Sequence, residues 1–510
     1  MKKFKKVVML DTVIFYPEHE LVLKRLVHNP IIERVPLEYN QEMNEWELPE
    51  NYIFPENANI IIWPSSLPES FYGITDEINE RLKTGICYVE ENLRSNFNSQ
   101  NLLNRINDAD CIITCWTSIP DEVLKMISPK AILTWTHEYE HRLNINLANS
   151  RGIFTACVDD YGTDAVAELT FNMIIQLYER NFKTDQKLLT DDDLVIGCLN
   201  QLFLHYRKIE TNEKNTRKGK FTHQFHKIGR ASRFYSNLME NNLDNKIPNR
   251  LLKEKKIGVI NKNIEVDYLV NVLRKGFNSL VKQISIIDNR SAEFYGFLAE
   301  NDVIIFNSED IPQLDKLLIN ELCFNKLLID VSKLNHYNKG LKRKTLGIIG
   351  LGRIGKRIAM IAESFEINIQ YSNKQDEKIK YVNTDIDNLL ASSDFISLNI
   401  TPHKNEILLD NNRINKIQKN AILINTSDAN VVDQQALTSK MLRNEIFVGL
   451  DVYQGLPTTK TLCLDNNING KVKDKLPNHV ITYRAGWFTF ESIRTKTYKL
   501  LGLMTISLNK

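Results

Sequence analysis

Short apolar runs alternate with segments of helical spacing along most of this chain. In the first third the apolar runs are Val7 to Leu10, Asn59 to Trp63, Ile112 to Thr114 and Ala131 to Thr134. Each is short enough for a buried strand, and the segments between them carry apolar residues at helical intervals. The pattern predicts an α/β fold in which parallel strands alternate with helices.

The character of the chain changes between residues 181 and 250, which are polar and helical. A small basic cluster, Arg217, Lys218 and Lys220, is most simply a solvated face. From Lys256 the alternation of strands and helices resumes. We therefore predict a helical insertion over 181–250, followed by a further α/β region.

An internal echo links this α/β region to a later one. Residues 257–260 resemble 346–349, residues 302–305 resemble 394–397, and residues 327–332 resemble 422–427. The echo predicts a degenerate Rossmann-like unit over 251–340, in which Asn261, Asn263 and Val266 stand where phosphate-binding glycines belong. Side chains at those positions would block a pyrophosphate, so we expect a structural copy without cofactor. An unrelated α/β insertion is the alternative.

A glycine fingerprint carries the clearest chemistry. The strand-like run Leu346 to Ile349 leads directly into Gly350-Leu351-Gly352-Arg353-Ile354-Gly355 and then into a helical segment. The first glycine permits a tight turn, the second allows close approach of a pyrophosphate, and the third allows close packing of helix and strand. With Arg353 and Ile354 in the first helical turn, the sequence predicts a dinucleotide site at the helix N-terminus.

The end of the next predicted strand bears on the choice of cofactor. Ile367 to Tyr371 is followed by Ser372-Asn373-Lys374, and the acidic residue that would bind a ribose 2′-hydroxyl is missing. A hydroxyl, an amide and a cation suit a 2′-phosphate better than a free diol. The sequence therefore favours NADP over NAD, with an ordinary polar turn as the alternative.

Composition adds little to this picture. The chain has 510 residues, a net charge of +2 and seven scattered cysteines. We therefore expect several domains in a reducing cytoplasm, with no nucleic-acid or membrane surface. The start MKKFKKVVML imitates a signal peptide, but Asp11 interrupts the apolar run, so Val7 to Leu10 is interpreted as a core strand.

His137-Glu138-Tyr139-Glu140-His141 matches the HExxH pattern of zinc peptidases. That pattern binds zinc only when both histidines share one helical face. Here it follows directly on the strand Ala131 to Thr134, and no third ligand stands at a recognised spacing. We predict a loop and helix start, without a metal.

Several blocks, in order, resemble the signatures of the D-isomer-specific 2-hydroxyacid dehydrogenase family. They are Arg151 to Ile153 with Tyr161 to Glu168, Thr345 to Ala359, Arg413 to Thr426 with Val432-Asp433, Gly449 to Val452, and Thr482 to Ser492. The resemblance implies a Rossmann-type dinucleotide-binding domain and a flavodoxin-like substrate domain. It also assigns Thr426 and Asp451 to the cofactor. About 160 residues intervene where the family has a few tens.

The resemblance implies a substrate-type α/β domain over 1–180, completed by 485–510, and an NAD(P)-binding domain over 341–484. The inserted units 181–250 and 251–340 lie between these two domains. The resemblance also implies a homodimer. Ala165 to Leu177, with apolar residues at helical spacing, is expected to form a long buried helix beside the interdomain cleft.

The family's three catalytic positions are all changed in this chain. In that family an arginine holds the substrate carboxylate, and a histidine paired to a glutamate moves the hydroxyl proton. By alignment of the motifs, the arginine has become Asp428, the glutamate Gln454 and the histidine Arg484. Ordinary 2-hydroxyacid oxidation is therefore not expected.

Two hypotheses follow. One is a catalytically retired nucleotide-binding protein that serves as a scaffold, sensor or partner subunit. The other is an oxidoreductase with altered chemistry, in which Tyr483 donates a proton and Arg484 holds an anionic substrate. Both allow an ion pair between Asp428 and Arg484 in place of the hydroxyacid.

Overall fold

The structure of the chain is a computed structural model. It describes residues 2–10, 13, 17–35, 38–40, 45–47, 51–53, 55–63, 99–106, 108–115, 117–136, 142–184, 191–207, 250–260, 266–285, 292–308, 326–334, 336–337, 340–373, 380–400, 407–452, 478–482, 486–487 and 489–510. Predictions that concern other residues lie outside these ranges. Among them are the HExxH match, the basic cluster at 217–220, and Asn261 and Asn263.

The order of elements follows the predicted alternation. The strands are β1 (Val7–Met9), β2 (Ile32–Arg34), β3 (Glu38–Asn40), β4 (Glu45–Glu47), β5 (Ile60–Ile62), β6 (Cys111–Thr114), β7 (Ala131–Thr134), β8 (Phe154–Cys157), β9 (Lys183–Thr184), β10 (Lys256–Ile260), β11 (Leu280–Ile284), β12 (Val303–Phe306), β13 (Leu327–Asp330), β14 (His336–Tyr337), β15 (Thr345–Ile349), β16 (Asn368–Ser372), β17 (Val382–Asn383), β18 (Phe395–Leu398), β19 (Ala421–Asn425), β20 (Ile446–Leu450) and β21 (His479–Ile481).

The α-helices are α1 (Pro17–Leu26), α2 (Ser99–Ile106), α3 (Asp121–Met126), α4 (Ile145–Ser150), α5 (Thr163–Asn181), α6 (Asp191–Tyr206), α7 (Asp267–Asn271), α8 (Ala292–Glu300), α9 (Arg353–Ser364), α10 (Ile386–Ser392), α11 (Asn411–Lys416), α12 (Gln434–Leu442) and α13 (Phe490–Asn509). A π-helical turn, Val272–Gly276, continues α7, and Ala429–Val431 is a short 3₁₀ helix. None of the described helices is long and apolar enough to cross a membrane.

The chain divides into two compact units. One contains Met1–Tyr161 and Phe490–Lys510, and the other contains Pro248–Thr489 with the segment that begins at Gly162. The predicted division into 1–180, 181–250, 251–340 and 341–484 is finer than this and stays a prediction.

The first unit is built on a parallel sheet in the order β2-β5-β1-β6-β7-β8. Its central strands are buried at every residue, which explains why they are continuous apolar runs without alternation. The four strands predicted in the first third of the chain are confirmed. Helix α13, from the far end of the sequence, packs on this sheet beside β7 and β8.

The second unit contains two larger parallel sheets. One has the order β17-β16-β15-β18-β19-β20-β21, which is the doubly wound Rossmann arrangement with an extra edge strand. The other has the order β11-β10-β12-β13. The predicted α/β fold with a Rossmann-type domain is confirmed.

Helix α5 confirms the predicted buried helix and extends it at both ends. Ala165, Leu169, Met173 and Leu177 are fully buried, while Val166 is only half-buried. Met173 packs against Gly449 in β20, where a Cβ atom on the glycine would lie 3.0 Å from the Met173 sulfur. The helix therefore packs on the Rossmann sheet through a glycine contact. Its position beside a cleft stays a prediction.

Candidate nucleotide-binding site

The turn after β15 needs glycine at its first position. Gly350 has a φ of +93°, a conformation that side chains rarely adopt, and a Cβ atom there would collide with the carbonyl oxygen of Asn399. A Cβ atom on Gly355 would likewise collide with the carbonyl oxygen of Gly350. The first and third glycines of the fingerprint are therefore required by the turn and by its contact with helix α9.

Gly352 differs from the other two glycines because nothing in the fold requires it. Its φ is −75°, and no atom of the described residues lies within 4 Å of the Cβ position. Gly352 is the N-cap of α9, so Arg353 and Ile354 form the first helical turn. The N–H groups of a first turn have no partner within the helix and can bind an anion. Since no packing contact requires Gly352 and it lies at a helix N-terminus, this position fits a pyrophosphate-binding site.

The second strand of the sheet ends beside this turn. Ser372 pairs with Ile349, and its carbonyl oxygen accepts a 3.0 Å hydrogen bond from the Gly350 N–H. Asn373 follows directly and is half-buried. Two of the three residues predicted to meet a ribose or its 2′-phosphate thus lie next to the glycine turn. Lys374 lies outside the described residues.

Two buried polar atoms at the same edge lack a hydrogen-bond partner among the described residues. They are Oδ1 of Asn399, which follows β18, and Oγ1 of Thr426, which follows β19. Buried polar groups are normally satisfied, so such atoms indicate where a ligand completes the network. Thr426 was predicted from the family resemblance. Asn399 was missed, although its position after a buried strand beside the glycine turn was a usable signal.

Both carboxylate oxygens of Asp451 accept hydrogen bonds from other residues of the fold. It is buried at the end of β20, where Oδ1 accepts a 2.6 Å bond from the Thr482 hydroxyl and Oδ2 accepts a 3.0 Å bond from the Gly486 N–H. These bonds connect β20 to the segment that leaves β21. Asp451 therefore positions the chain on both sides of residues 483–485, and its predicted contact with the cofactor stays a prediction.

Of the three residues that the motif alignment assigns to the family's catalytic positions, the structure describes Asp428. Its side chain is half-buried and caps the 3₁₀ helix Ala429–Val431, since Oδ1 accepts a 2.7 Å bond from the Asn430 N–H. Its carbonyl oxygen accepts a 2.7 Å bond from the Asn425 side-chain amide. A carboxylate is thus fixed just beyond β19. Gln454, Tyr483 and Arg484 lie outside the described residues, so the ion pair of Asp428 with Arg484 stays a prediction.

These residues fit a dinucleotide. The glycine turn, the open Cβ position at Gly352, the helix N-terminus and the two unsatisfied atoms lie along the carboxyl ends of β15, β18 and β19, where doubly wound sheets bind ligands. When bound there, a nicotinamide dinucleotide would be held by the first turn of α9, Ser372 and Thr426. It would supply hydride transfer.

Comparison with known proteins agrees with this geometry. Residues 325–471 match the family described as "D-isomer specific 2-hydroxyacid dehydrogenase, NAD binding domain". This part of the chain is therefore similar to the NAD-binding domain of the D-isomer-specific 2-hydroxyacid dehydrogenase family. The resemblance drawn from the sequence motifs is confirmed, and so is a nicotinamide dinucleotide as the class of cofactor.

The similarity to individual family members is partial. A Staphylococcus aureus (strain MRSA252) protein, provisionally named a 2-hydroxyacid dehydrogenase, is 37% identical over 158 residues, or 29% of this chain. The aligned part spans 46% of that relative, so the chain covers about half the length of the curated dehydrogenases it matches.

Two solved structures are similar to this chain at low identity and with TM-scores below 0.5. A Polaromonas protein, provisionally named a D-isomer-specific 2-hydroxyacid dehydrogenase, is similar with a TM-score of 0.47 and 16% identity, over 99% of this chain and 96% of that one. An acyclic imino acid reductase in complex with NADPH and D-Arg is similar with a TM-score of 0.45 and 18% identity, over 97% of this chain and 94% of that one.

Proposed function

We propose that this protein binds a nicotinamide dinucleotide, NADPH in preference to NADH, beside a pocket that has lost ordinary 2-hydroxyacid dehydrogenase chemistry. The observation that carries the proposal is a contrast within one sheet edge. Gly352 leaves an open approach at the glycine turn. The carboxylate of Asp428, which the motif alignment assigns to the position of the family's substrate-binding arginine, is fixed just beyond β19.

The change at Asp428 is large in energetic terms. At an effective dielectric constant near 20, a substrate carboxylate about 4 Å away would be repelled by about 4 kcal/mol, where the family has attraction. A difference of that size lowers affinity by about a thousandfold. The capping bond to Asn430 holds this carboxylate in place.

The other two substitutions remove the proton transfer. Arg484 cannot act as a base, because a guanidinium stays protonated throughout the working pH range. Gln454 carries no charge to raise the basicity of a neighbour. Chemistry at this site would have to use other groups, and Tyr483 beside Arg484 is our candidate proton donor for an altered reaction on an anionic substrate.

The cofactor preference is tested by fluorescence titration with NADPH and NADH. We expect tighter binding of NADPH, and we expect Lys374→Ala to remove most of the difference. Lys380→Ala, which deletes the same charge further along the chain, is the matched control and should retain it. Equal affinities of the wild-type protein for both nucleotides would contradict the preference.

The loss of standard chemistry is tested by turnover. Protein with NADPH is mixed with 2-oxoacids, aldehydes and imines in separate assays, and nicotinamide absorbance is followed. We expect no turnover of 2-oxoacids by the wild-type protein, and turnover only in the triple variant Asp428→Arg, Gln454→Glu, Arg484→His. Reduction of an aldehyde or imine would favour altered catalysis, and silence on every compound would favour the retired protein. Rapid 2-oxoacid reduction by the wild-type protein would overturn the proposal.

A further inference from the structure

The chain makes a turn of the same conformation before the first strand of each of the two parallel sheets in the second unit. Before β10, Glu254 has a φ of +63° and its N–H donates to Asn278 at 2.9 Å. Before β15, Arg343 has a φ of +63° and its N–H donates to Glu366 at 2.9 Å. Left-handed residues other than glycine are uncommon, so the match of conformation and partner indicates one repeated framework.

The repetition extends to the side chains that fix the third strand. Asp302 accepts a 3.0 Å bond from the Lys256 N–H, and Asp394 accepts a 2.9 Å bond from the Thr345 N–H. Each carboxylate thus ties the start of one strand to the start of its neighbour. The same link occurs between β10 and β12 and between β15 and β18.

The first strand of each sheet also carries a glycine beneath a helix. A Cβ atom on Gly258 would lie 2.6 Å from Cζ of Phe297 in α8, and one on Gly347 would lie 2.7 Å from Cγ of Leu389 in α10. Both distances are shorter than real Cβ contacts. Each helix can therefore approach its sheet only because the strand has no side chain there.

The carboxyl ends of the fourth strands match as well. Oδ1 of Asp330 accepts bonds from the N–H and hydroxyl of Ser332 at 3.2 and 2.8 Å. Oδ1 of Asn425 accepts bonds from the N–H and hydroxyl of Ser427 at 3.0 and 2.9 Å. The sequence echo is thus matched by a repeated structure.

Each sheet has one long helix of its own, and the two helices pair with each other. Helix α5 packs on β20, and α6 packs beside β13, where Gly197 contacts Leu334. The Arg207 guanidinium, at the end of α6, donates to the carbonyl oxygen of Ala165 near the start of α5 at 3.4 Å. Asn200 in α6 bonds to Glu179 near the end of α5. The helices are therefore antiparallel, as they would be if a two-fold axis perpendicular to both related them.

We define half A as α5 with residues 340–452, and half B as α6 with residues 250–334. Phe365 in half A and Phe277 in half B are equivalent, since each lies three residues before the first paired residue of the second strand. Their rings contact each other, with centroids 6.2 Å apart. Phe365 also stacks on Phe171 of α5, and Phe277 meets Phe203 of α6.

Contact between equivalent residues is the property of an isologous interface, in which one surface packs on its own counterpart. A single hydrophobic cluster runs through this contact and includes buried residues of both helices and both sheets. Half B therefore covers the apolar face that α5 and α9 would otherwise expose to solvent.

Half B has lost the features that make half A a nucleotide site. Val266, buried, stands at the position equivalent to Gly355, whose close contact with the glycine turn allows no Cβ atom. Helix α7 begins only at Asp267, and this acidic residue in the first turn disfavours an anion. Half B therefore retains the framework without the three glycines of the ligand-binding turn.

We propose that half B is an internal copy of half A that packs on it about an approximate two-fold axis in place of a second chain, so that the protein is a monomer with one nucleotide site. This inference concerns the partner of half A and does not depend on the reaction. The homodimer implied by family resemblance would have to use another face.

Sedimentation equilibrium of the full chain over a wide concentration range tests the proposal. We expect the mass of one chain, 59.2 kDa, at every concentration. A dimer would overturn the proposal that the protein is a monomer.

Hydrogen exchange supplies a second test, because Gly276 of half B lies against Ser364 of half A and leaves no room for a Cβ atom. We expect Gly276→Val to speed exchange in residues 353–364 by about tenfold or more. Gly296→Val is the matched control, since no described atom lies within 4 Å of that Cβ position, and it should leave these residues unchanged. Unchanged exchange in the Gly276→Val protein would overturn the internal interface.

Discussion

Half A and half B share a framework and differ at one turn. The strand order, the left-handed entry residue, the carboxylate that joins two strand starts and the glycine beneath a helix are found in both. The glycines of the nucleotide-binding turn are present in the sequence of half A alone. Residues that carry packing are therefore retained wherever the packing is retained, whereas residues that only a ligand needs are not.

Gly352 and Gly258 illustrate the two kinds of glycine. Gly258 is needed by half B itself, since a Cβ atom would enter the ring of Phe297. At Gly352, by contrast, the described residues leave room for a side chain, so we attribute the glycine to the need of a ligand. The position equivalent to it in half B, Asn263, carries a side chain. Gly258 is therefore assigned to the stability of the fold, and Gly352 to the binding of a ligand.

The largest expected effect concerns the contact between the halves. Phe365→Ala and Phe277→Ala should each lower the free energy of unfolding by about 3–5 kcal/mol, because each removes a fully buried aromatic ring. Since the two rings touch, we expect the double variant to fall short of the sum by about 0.5–3 kcal/mol. Denaturant titration measures all three, and strict additivity would contradict a shared interface.

The next effect concerns an ion-pair network that joins the halves. Asp164 of α5 accepts bonds from Arg357 of half A at 2.7 Å and Lys253 of half B at 3.0 Å. Arg357 is 8% exposed, and its two terminal nitrogens have no partner among the described residues. Asp164→Asn should therefore cost about 3 kcal/mol, because a buried cation loses its charge partner. The control Asp267→Asn, at an exposed residue of half B, should cost little.

The same network predicts a pH dependence. Burial raises the pKa of Asp164, but the hydrogen bonds from Arg357 and Lys253 outweigh burial and hold the pKa below its ordinary value. The stabilisation is therefore complete above the unfolded-state pKa, about 4, and is lost as pH falls through the folded-state value. The wild-type protein should lose more stability than Asp164→Asn in acid. Parallel stability curves for the two proteins would contradict this role.

A smaller effect isolates binding from folding. Gly352→Ala should weaken NADPH binding by about tenfold or more, equivalent to about 1.4 kcal/mol, because the new methyl group occupies the approach of the pyrophosphate. The thermal midpoint should change little, since the Cβ position is open. Gly502→Ala, at another open position, is the control. Unaltered affinity in the Gly352→Ala protein would remove that glycine from the site.

The smallest effect compares equivalent carboxylates. Asp394 accepts bonds from the Thr345 N–H and from Lys344, both at 2.9 Å, whereas the bond that Asp302 accepts at the equivalent strand start comes from the Lys256 N–H. We expect Asp394→Ala to cost about 1–2 kcal/mol and Asp302→Ala about 1 kcal/mol. Denaturant titration measures the loss in the free energy of unfolding for each variant. A larger loss for Asp394→Ala would show that the bond from Lys344 adds stability. A larger cost at Asp302 would contradict it.

The sequence was sufficient for features that depend on local pattern. Apolar runs predicted the central strands, and Gly350 to Gly355 predicted the turn and helix start because glycine spacing directly reflects backbone geometry. The echo between residues 257–260 and 346–349 predicted a Rossmann-like unit over 251–340, where the structure has the sheet β11-β10-β12-β13. These signals are local in sequence, so neither contacts nor distances were needed.

Other features depend on distant contacts that no local pattern reports. The pairing of α5 with α6 depends on residues such as Arg207, whose partner Ala165 is far away in the sequence. Asp451 carries a family motif, yet its carboxylate bonds to Thr482 and Gly486, which only the tertiary structure reveals. Asn399 follows a buried strand, which was a usable signal, but only the tertiary structure shows that its side-chain oxygen lacks a partner among the described residues.

The stoichiometry of NADPH binding to the full chain, measured by isothermal titration calorimetry, shows whether half A is a nucleotide site and half B is not. We expect one nucleotide for each 59.2 kDa chain, because half A has the three glycines of the turn and half B has none of them. Two nucleotides per chain would show that half B is also a site. No binding at all would show that the glycine turn of half A no longer serves a cofactor.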